Sequence, residues 1–173
     1  GWHSLILQKM GAKKVVGIEG RKDNFLKSLL VKNAFKLERC EFLFGDVNQV
    51  VNSLSMHFDL CLAIGILYHL EDPVALLYRI GIISDKLFVW THYANEKYPE
   101  GQTEQIRYNG HVYCGKYVRE HNDINVGSLK ERVFWLFEDS FFELFRDAGF
   151  RRIELIEKED HKNGVAMTVL AQK

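Results

Sequence analysis

The sequence predicts an α/β fold, a Rossmann-like doubly wound and mostly parallel sheet that ends in an antiparallel hairpin. Three observations predict it. Short apolar runs alternate with stretches whose apolar residues recur every three or four positions, the order from which parallel strands joined by crossover helices are built. The run His57 to Ala63 (HFDLCLA) is apolar almost throughout, as a strand covered on both faces must be. The last two apolar runs are separated by a turn containing Asn163 and Gly164, a hairpin signal.

Trp2 to Met10 reads as a helix, with Leu5, Ile6 and Leu7 near helical spacing and Gly11 where a left-handed residue ends a helix. Lys14 to Glu19 (KVVGIE) is a strand with a carboxylate at its tip. Arg21 to Ala34 is a second helix whose apolar stripe is Phe25, Leu26, Leu29, Leu30 and Ala34. Glu41 to Phe44 is a short strand closed by Gly45 and Asp46, and Val47 to Leu54 is a short helix. After the strand His57 to Ala63, Asp72 followed by Pro73 supplies a cap and a first-turn proline for a helix running to about Ile80. Lys86 to Trp90 (KLFVW) is the next strand. Ser140 and Glu143 have the spacing of a capping box before Phe141, Leu144, Phe145 and Ala148, with Gly149 as the stop. Arg151 to Glu157 and Val165 to Ala171 form the hairpin, turning through Asp160 to Gly164.

The 173 residues carry 23 Lys and Arg against 23 Asp and Glu, so one domain over 1–173 is expected and a general phosphate-binding surface is disfavoured. Nucleic acid is therefore not the expected partner. All 12 Phe fall between Phe25 and Phe88 or between Phe134 and Phe150, whereas Tyr93, Tyr98, Tyr108, Tyr113 and Tyr117 crowd between those stretches. Tyrosine buries a ring while keeping a polar handle, so residues 92–128 stand apart from the rest of the chain and read as an insertion suited to covering a bound substrate. Arg107 and Arg119 are its candidates for pairing with a substrate carboxylate or phosphate; a well-packed ordered loop is the alternative.

Cys40, Cys61 and Cys114 are odd in number and widely spaced, which fits neither a disulfide framework nor a zinc site. Reduced thiols in a cytoplasmic protein are the expectation. No apolar stretch approaches bilayer length, so no membrane partner is expected. Metal binding is not expected either, because His69 has no ligand partner at i+4 or in a nearby cluster; orienting its own loop is the other role open to it.

An acid at the tip of a parallel strand suits a ribose, since one carboxylate accepts hydrogen bonds from two vicinal hydroxyls. Glu19 has that position, although capping or pairing with Arg21 or Lys22 explains it equally well. Asp46 reads either as a ligand group or as the cap of the helix that follows. His69, His92, His111 and His121 are the candidates for a general base near neutral pH, each with a surface or hydrogen-bonded structural histidine as the alternative. His92 stands out among them because it directly follows a strand at the carboxyl edge, where open α/β sheets bind ligands. Trp90 reads as core, and Trp135 as packing beneath the Ser140 helix.

The order of elements resembles the class I S-adenosylmethionine-dependent methyltransferases, whose parallel sheet ends in a reversed hairpin. GAKKVVGIEG (Gly11 to Gly20) resembles the family's second strand, which implies that Glu19, with Gly20 beside it, binds the ribose of the cofactor. FLFGDVNQV (Phe42 to Val50) resembles the third strand and its acidic loop, implying that Asp46 and the backbone of Val47 face the adenine. FDLCLAIGILYHLEDP (Phe58 to Pro73) is similar to the fourth strand and its loop, especially in a branch that includes tRNA wobble-uridine carboxymethyltransferases and many small-molecule methyltransferases. It implies that Ala63, Ile64 and Gly65 lie along the methionine part, with Leu67 and Tyr68 near the reaction centre. Gly1 looks like the final glycine of the family's Gly-rich loop, so that loop and the first strand are expected to be missing from the chain. The resemblance thus implies weak cofactor binding and easy unfolding of these 173 residues.

The expected function is methyl transfer from S-adenosylmethionine (EC 2.1.1 type) by direct displacement to a small-molecule acceptor. Tyr68 and His92 are the candidate catalytic residues. Two alternatives stay open: a tRNA-modifying member of the same branch, and a non-catalytic methyltransferase-like binding subunit. A nicotinamide-dependent oxidoreductase is disfavoured because no Gly-x-Gly-x-x-Gly is present.

Overall fold

The computed structural model describes residues 1–120 and 128–173, which fall into two units, Gly1–Leu54 and Ser55–Lys173. His121 and Asp123 lie outside the described residues. In the first unit the two apolar runs become β1 (Val15–Glu19) and β2 (Cys40–Phe44), paired in parallel with Val15 opposite Cys40 and Glu19 opposite Phe44. Helices α1 (Trp2–Lys9), α2 (Lys22–Ala34) and α3 (Val47–Ser53) accompany them. Leu5, Val15, Leu37 and Cys40 form the core, with Leu7, Ala12, Val31 and Phe42 against it.

The stripe expected on α2 is not its buried face. Leu26, Leu29 and Leu30 are exposed, and the one fully buried residue of the helix is Ser28. Gly1 packs on this side of α2, where a methyl on it would lie 3.4 Å from both the Ser28 Cα and the Val31 Cβ.

The second unit contains a four-stranded mixed sheet in the order β3-β4-β9-β8: β3 (Cys61–Ile64), β4 (Lys86–His92), β8 (Arg152–His161) and β9 (Gly164–Gln172). β3 runs parallel to β4, and β9 is antiparallel to both β4 and β8. The terminal hairpin is thus present, but its turn is Lys162–Asn163, because Gly164 (φ +112°) already pairs with His161. β3 is shorter than expected. Phe58 makes only an isolated bridge to Ser84, and Leu60 is 40% exposed, so residues 57–60 do not form a covered strand. β4 runs two residues longer than Trp90 and takes in His92.

α4 (Pro73–Ile83) starts as its sequence dictates, with the Asp72 carboxylate accepting the Ala75 N–H at 2.9 Å. It is buried along most of its length, and a side chain at Gly81 would collide with the carbonyl oxygen of Ala148, the C-cap residue of α5 (Glu138–Asp147). The capping box assigned to α5 is not formed. Its N-cap is Phe137 without a side-chain bond, and the Ser140 hydroxyl instead accepts the Cys114 N–H at 2.9 Å. The stop is as expected, with Gly149 at φ +97°.

The Tyr-rich stretch is largely a sheet rather than a loop. β5 (Glu104–Tyr108), β6 (His111–Arg119) and β7 (Arg132–Leu136) form a three-stranded antiparallel sheet, with Asn109 (φ +48°) and Gly110 (φ +84°) at the two-residue turn between β5 and β6. Among the described residues, no helix is long and apolar enough to cross a membrane.

Candidate functional site

In the first unit the parallel pairing brings Glu19 and Asp46 to one edge. The Gly45 N–H donates to the Glu19 carbonyl at 3.1 Å, so the chain leaving β2 turns into α3 directly beside the tip of β1. The Glu19 carboxylate accepts the Arg21 N–H through Oε1 at 2.9 Å, which realises the capping alternative while using one of its two oxygens. Asp46 caps α3 by accepting the Asn48 N–H at 2.8 Å, and Val47 is the first helical residue. Gly20 follows Glu19 on this edge, and Gly1 is the N-cap residue of α1. Phe44, 53% exposed at the end of β2, packs on Phe25 with ring centroids 5.4 Å apart, and no motif marks it in the sequence.

In the second unit the carboxyl ends of β3 and β4 bring together the remaining candidates. Ala63 is buried within β3 and Ile64 ends it. Gly65 (φ +70°) donates its N–H to the Trp90 carbonyl at 2.9 Å. The closest atoms to a methyl placed there would be the Tyr68 hydroxyl at 3.7 Å and the Trp90 ring at 3.8 Å, so the backbone is open on that side. A 3₁₀ turn, Leu67–His69, follows, with Leu67 fully buried as its anchor.

Tyr68 is the hub of an aromatic cluster. Its ring centroid lies 4.1 Å from that of His69, 4.7 Å from His92, 5.8 Å from Trp135 and 6.0 Å from Trp90. His92 in turn stacks on Trp135 with 9° between the planes, so Trp135 belongs to this cluster and not beneath α5. Burial, with the Glu120 charge second, raises the Tyr68 hydroxyl above its ordinary range and keeps it a neutral phenol.

His92 is 2% exposed, and its Nδ1 lies 3.1 Å from the Val165 carbonyl oxygen, which can only accept. Nδ1 therefore carries the proton. Burial lowers the pKa of the ring, against the opposing pull of that carbonyl, and nearby His161 and His69 lower it further. His92 is thus a neutral imidazole at physiological pH.

Three partners of the cluster were not legible as such. Trp90 Nε1–H donates to the Glu159 carboxylate at 2.6 Å, and the His69 Nδ1 meets both oxygens of Glu120 at 2.7 and 2.8 Å. Both contacts join residues more than fifty positions apart, and no local motif marks them. The buried Lys116 donates to the carbonyls of Glu96 and Pro99, fixing the loop that sets the Tyr98 ring 5.6 Å from Trp135. Arg107 and Arg119 are exposed on β5 and β6. His111 instead pairs with Asp147 at 2.9 Å, away from the cluster. Among the described residues, no group of three or more His, Cys, Asp or Glu side chains is placed to hold a metal ion.

The chain is similar to the N-terminal domain of EvdMO1 crystallised with SAH bound, at a TM-score of 0.82 and 27% identity over 99% of this chain and 70% of that one. It spans 31% of the whole of EvdMO1. A SAM-dependent methyltransferase from Methanosarcina mazei matches at a TM-score of 0.58 and 15% identity, over 92% of this chain and 82% of that one. The magnesium protoporphyrin IX methyltransferase ChlM from Synechocystis PCC 6803, with bound SAH, matches at 0.61 and 12% identity, over 98% and 68%. The chain has the fold of SAM-dependent methyltransferases. No protein-family model and no curated protein sequence matches it.

Within that fold, the edge carrying Glu19 and Asp46 and the edge carrying Gly65 and Tyr68 both lie at carboxyl ends of parallel strands, the place where open α/β sheets take their ligands.

Proposed function

We propose that the protein binds S-adenosylmethionine as methyl donor and transfers its methyl group to a small-molecule acceptor by direct displacement. The observation that carries this reading is the likeness over 99% of the chain to a domain crystallised with SAH. The residues fit the donor. Glu19 sits at the tip of β1 with its carboxylate oriented by the Arg21 N–H, a group able to accept from the vicinal hydroxyls of a ribose, and Gly20 follows it. Asp46 and the Val47 N–H, at the start of α3, suit the polar edge of an adenine. Ala63, Ile64 and Gly65 offer the methionine part a strand end with no side chain at Gly65.

Displacement at a sulfonium requires alignment and exclusion of water more than any protein nucleophile. Tyr68 and His92 fill the acceptor side, both uncharged, one with a hydroxyl 3.7 Å from the methyl that Gly65 lacks and the other locked against Val165. The Tyr-rich sheet and the loop bearing Tyr98 cover the acceptor. Balanced charge supports a small acceptor over RNA.

Calorimetric titration with SAH tests the donor assignment. Saturable binding that falls about tenfold or more in Glu19→Ala is expected, since a charge-assisted pair of hydrogen bonds is lost. Unchanged affinity in that variant contradicts the ribose assignment.

A further inference from the structure

The aromatic cluster contains a histidine and a carboxylate whose arrangement no packing requirement explains. His69 Nδ1 lies 2.7 Å from Oε1 and 2.8 Å from Oε2 of Glu120, a side-chain contact spanning 51 residues. Glu120 is itself fixed, because its Oε2 accepts the Ser128 N–H at 2.7 Å. A carboxylate only accepts, so Nδ1 donates and the proton-free lone pair of the ring is left on Nε2. Among the described residues no hydrogen bond reaches that nitrogen, and a quarter of the His69 side chain is in solvent, against 2% of the whole residue for His92. The two histidines flank Tyr68, whose ring is 4.1 Å from one and 4.7 Å from the other.

We propose that His69, held and polarised by Glu120, is the general base of this site, and that the acceptor is therefore a hydroxyl of a small molecule. The inference rests on the methyl-donor reading above. An amine acceptor brings its own lone pair, whereas a hydroxyl is a poor nucleophile until its proton is taken. The O–H proton passes to His69 Nε2, and an oxygen electron pair forms the new bond to the methyl carbon. The pair of the broken carbon–sulfur bond stays on sulfur. The resulting imidazolium is stabilised by Glu120, which also holds the ring in the tautomer that can accept. His92 cannot take this role as readily, since its bound N–H faces a neutral carbonyl and its ring lies out of solvent.

The test uses SAH, 4-nitrophenol as a chromogenic hydroxyl probe, and the variants His69→Gln and Glu120→Gln. Nitrogen-15 NMR of the unliganded protein is expected to show His69 protonated on Nδ1 and not on Nε2, a preference lost in Glu120→Gln. With SAH bound and the buffer about one pH unit below the probe's own ionisation, wild type is expected to develop a yellow 4-nitrophenolate band in excess of that given by the same probe in protein-free buffer. That band vanishes in His69→Gln and falls on the order of tenfold or more in Glu120→Gln, while SAH affinity stays unchanged in both and certifies that they fold. A dyad that only ties the chain together gives the same SAH affinities and no band in wild type, and that result overturns the proposal. So does a band retained by both variants, or an Nε2–H tautomer in wild type. Absence of SAH binding by wild type defeats the donor reading instead, and the tautomer then decides the dyad on its own.

Discussion

The imidazole of His92 lies flat on the indole of Trp135, 5.2 Å between ring centroids and 9° between planes, with its Nδ1–H spent on the Val165 carbonyl. A ring held this way is selected for its neutral form, because protonation would place a charge in an aromatic stack out of reach of water. The last residue of β4 is thereby tied to the first turn of β9, and the acceptor side of the proposed site gains a rigid wall.

Stability should fall on acidification for this reason. The folded-state pKa of His92 is below that of the unfolded chain, so below about pH 6.5 the unfolded state binds the extra proton and is favoured. The contribution is complete above that value and is lost as pH drops towards the folded pKa. Thermal melts at about pH 7.5 and about pH 5.5 are expected to differ more for wild type than for His92→Gln.

The buried Lys116 donates through Nζ to two main-chain carbonyls, those of Glu96 at 3.1 Å and Pro99 at 3.0 Å. Lys116→Met leaves both carbonyls unpaired and is expected to cost about 1–3 kcal/mol in chemical denaturation. Loosening of the Tyr98 loop should show as altered Trp135 fluorescence, since the Tyr98 ring is 5.6 Å away.

Gly81 is where α4 crosses α5. A methyl there meets the Ala148 carbonyl oxygen, and backbone cannot yield as a side chain does. Gly81→Ala is expected to destabilise by about 1–3 kcal/mol despite alanine's better helix propensity, read from the denaturation midpoint. Gly11→Ala is its contrast for space: nothing lies within 4 Å, and the cost there comes from the positive φ of +97° alone.

Much of this was legible in the sequence where the signal is local. Asp72 and Pro73 announce α4, Gly149 ends α5, and the strand-tip position of Glu19 follows from KVVGIE alone. What escaped depends on partners remote in the chain. Ser140 has the spacing of a cap, yet its hydroxyl is claimed by Cys114 of β6, 26 residues away. Leu26, Leu29 and Leu30 have helical spacing, yet they are exposed and Ser28 is the residue of α2 that is buried. Asn109–Gly110 is a local hairpin signal, and it does turn the chain from β5 into β6. Glu120 had no sequence mark at all, because its meaning lies in a contact with His69.

The central claim is that the protein binds S-adenosylmethionine with Glu19 on its ribose, and calorimetric titration of the protein with SAH measures it most directly. Saturable one-to-one binding, weakened about tenfold or more by Glu19→Ala and untouched by Glu41→Ala on the exposed Lys14–Glu41 ion pair, is predicted. No binding by wild type, or equal affinity in wild type and Glu19→Ala, would contradict it.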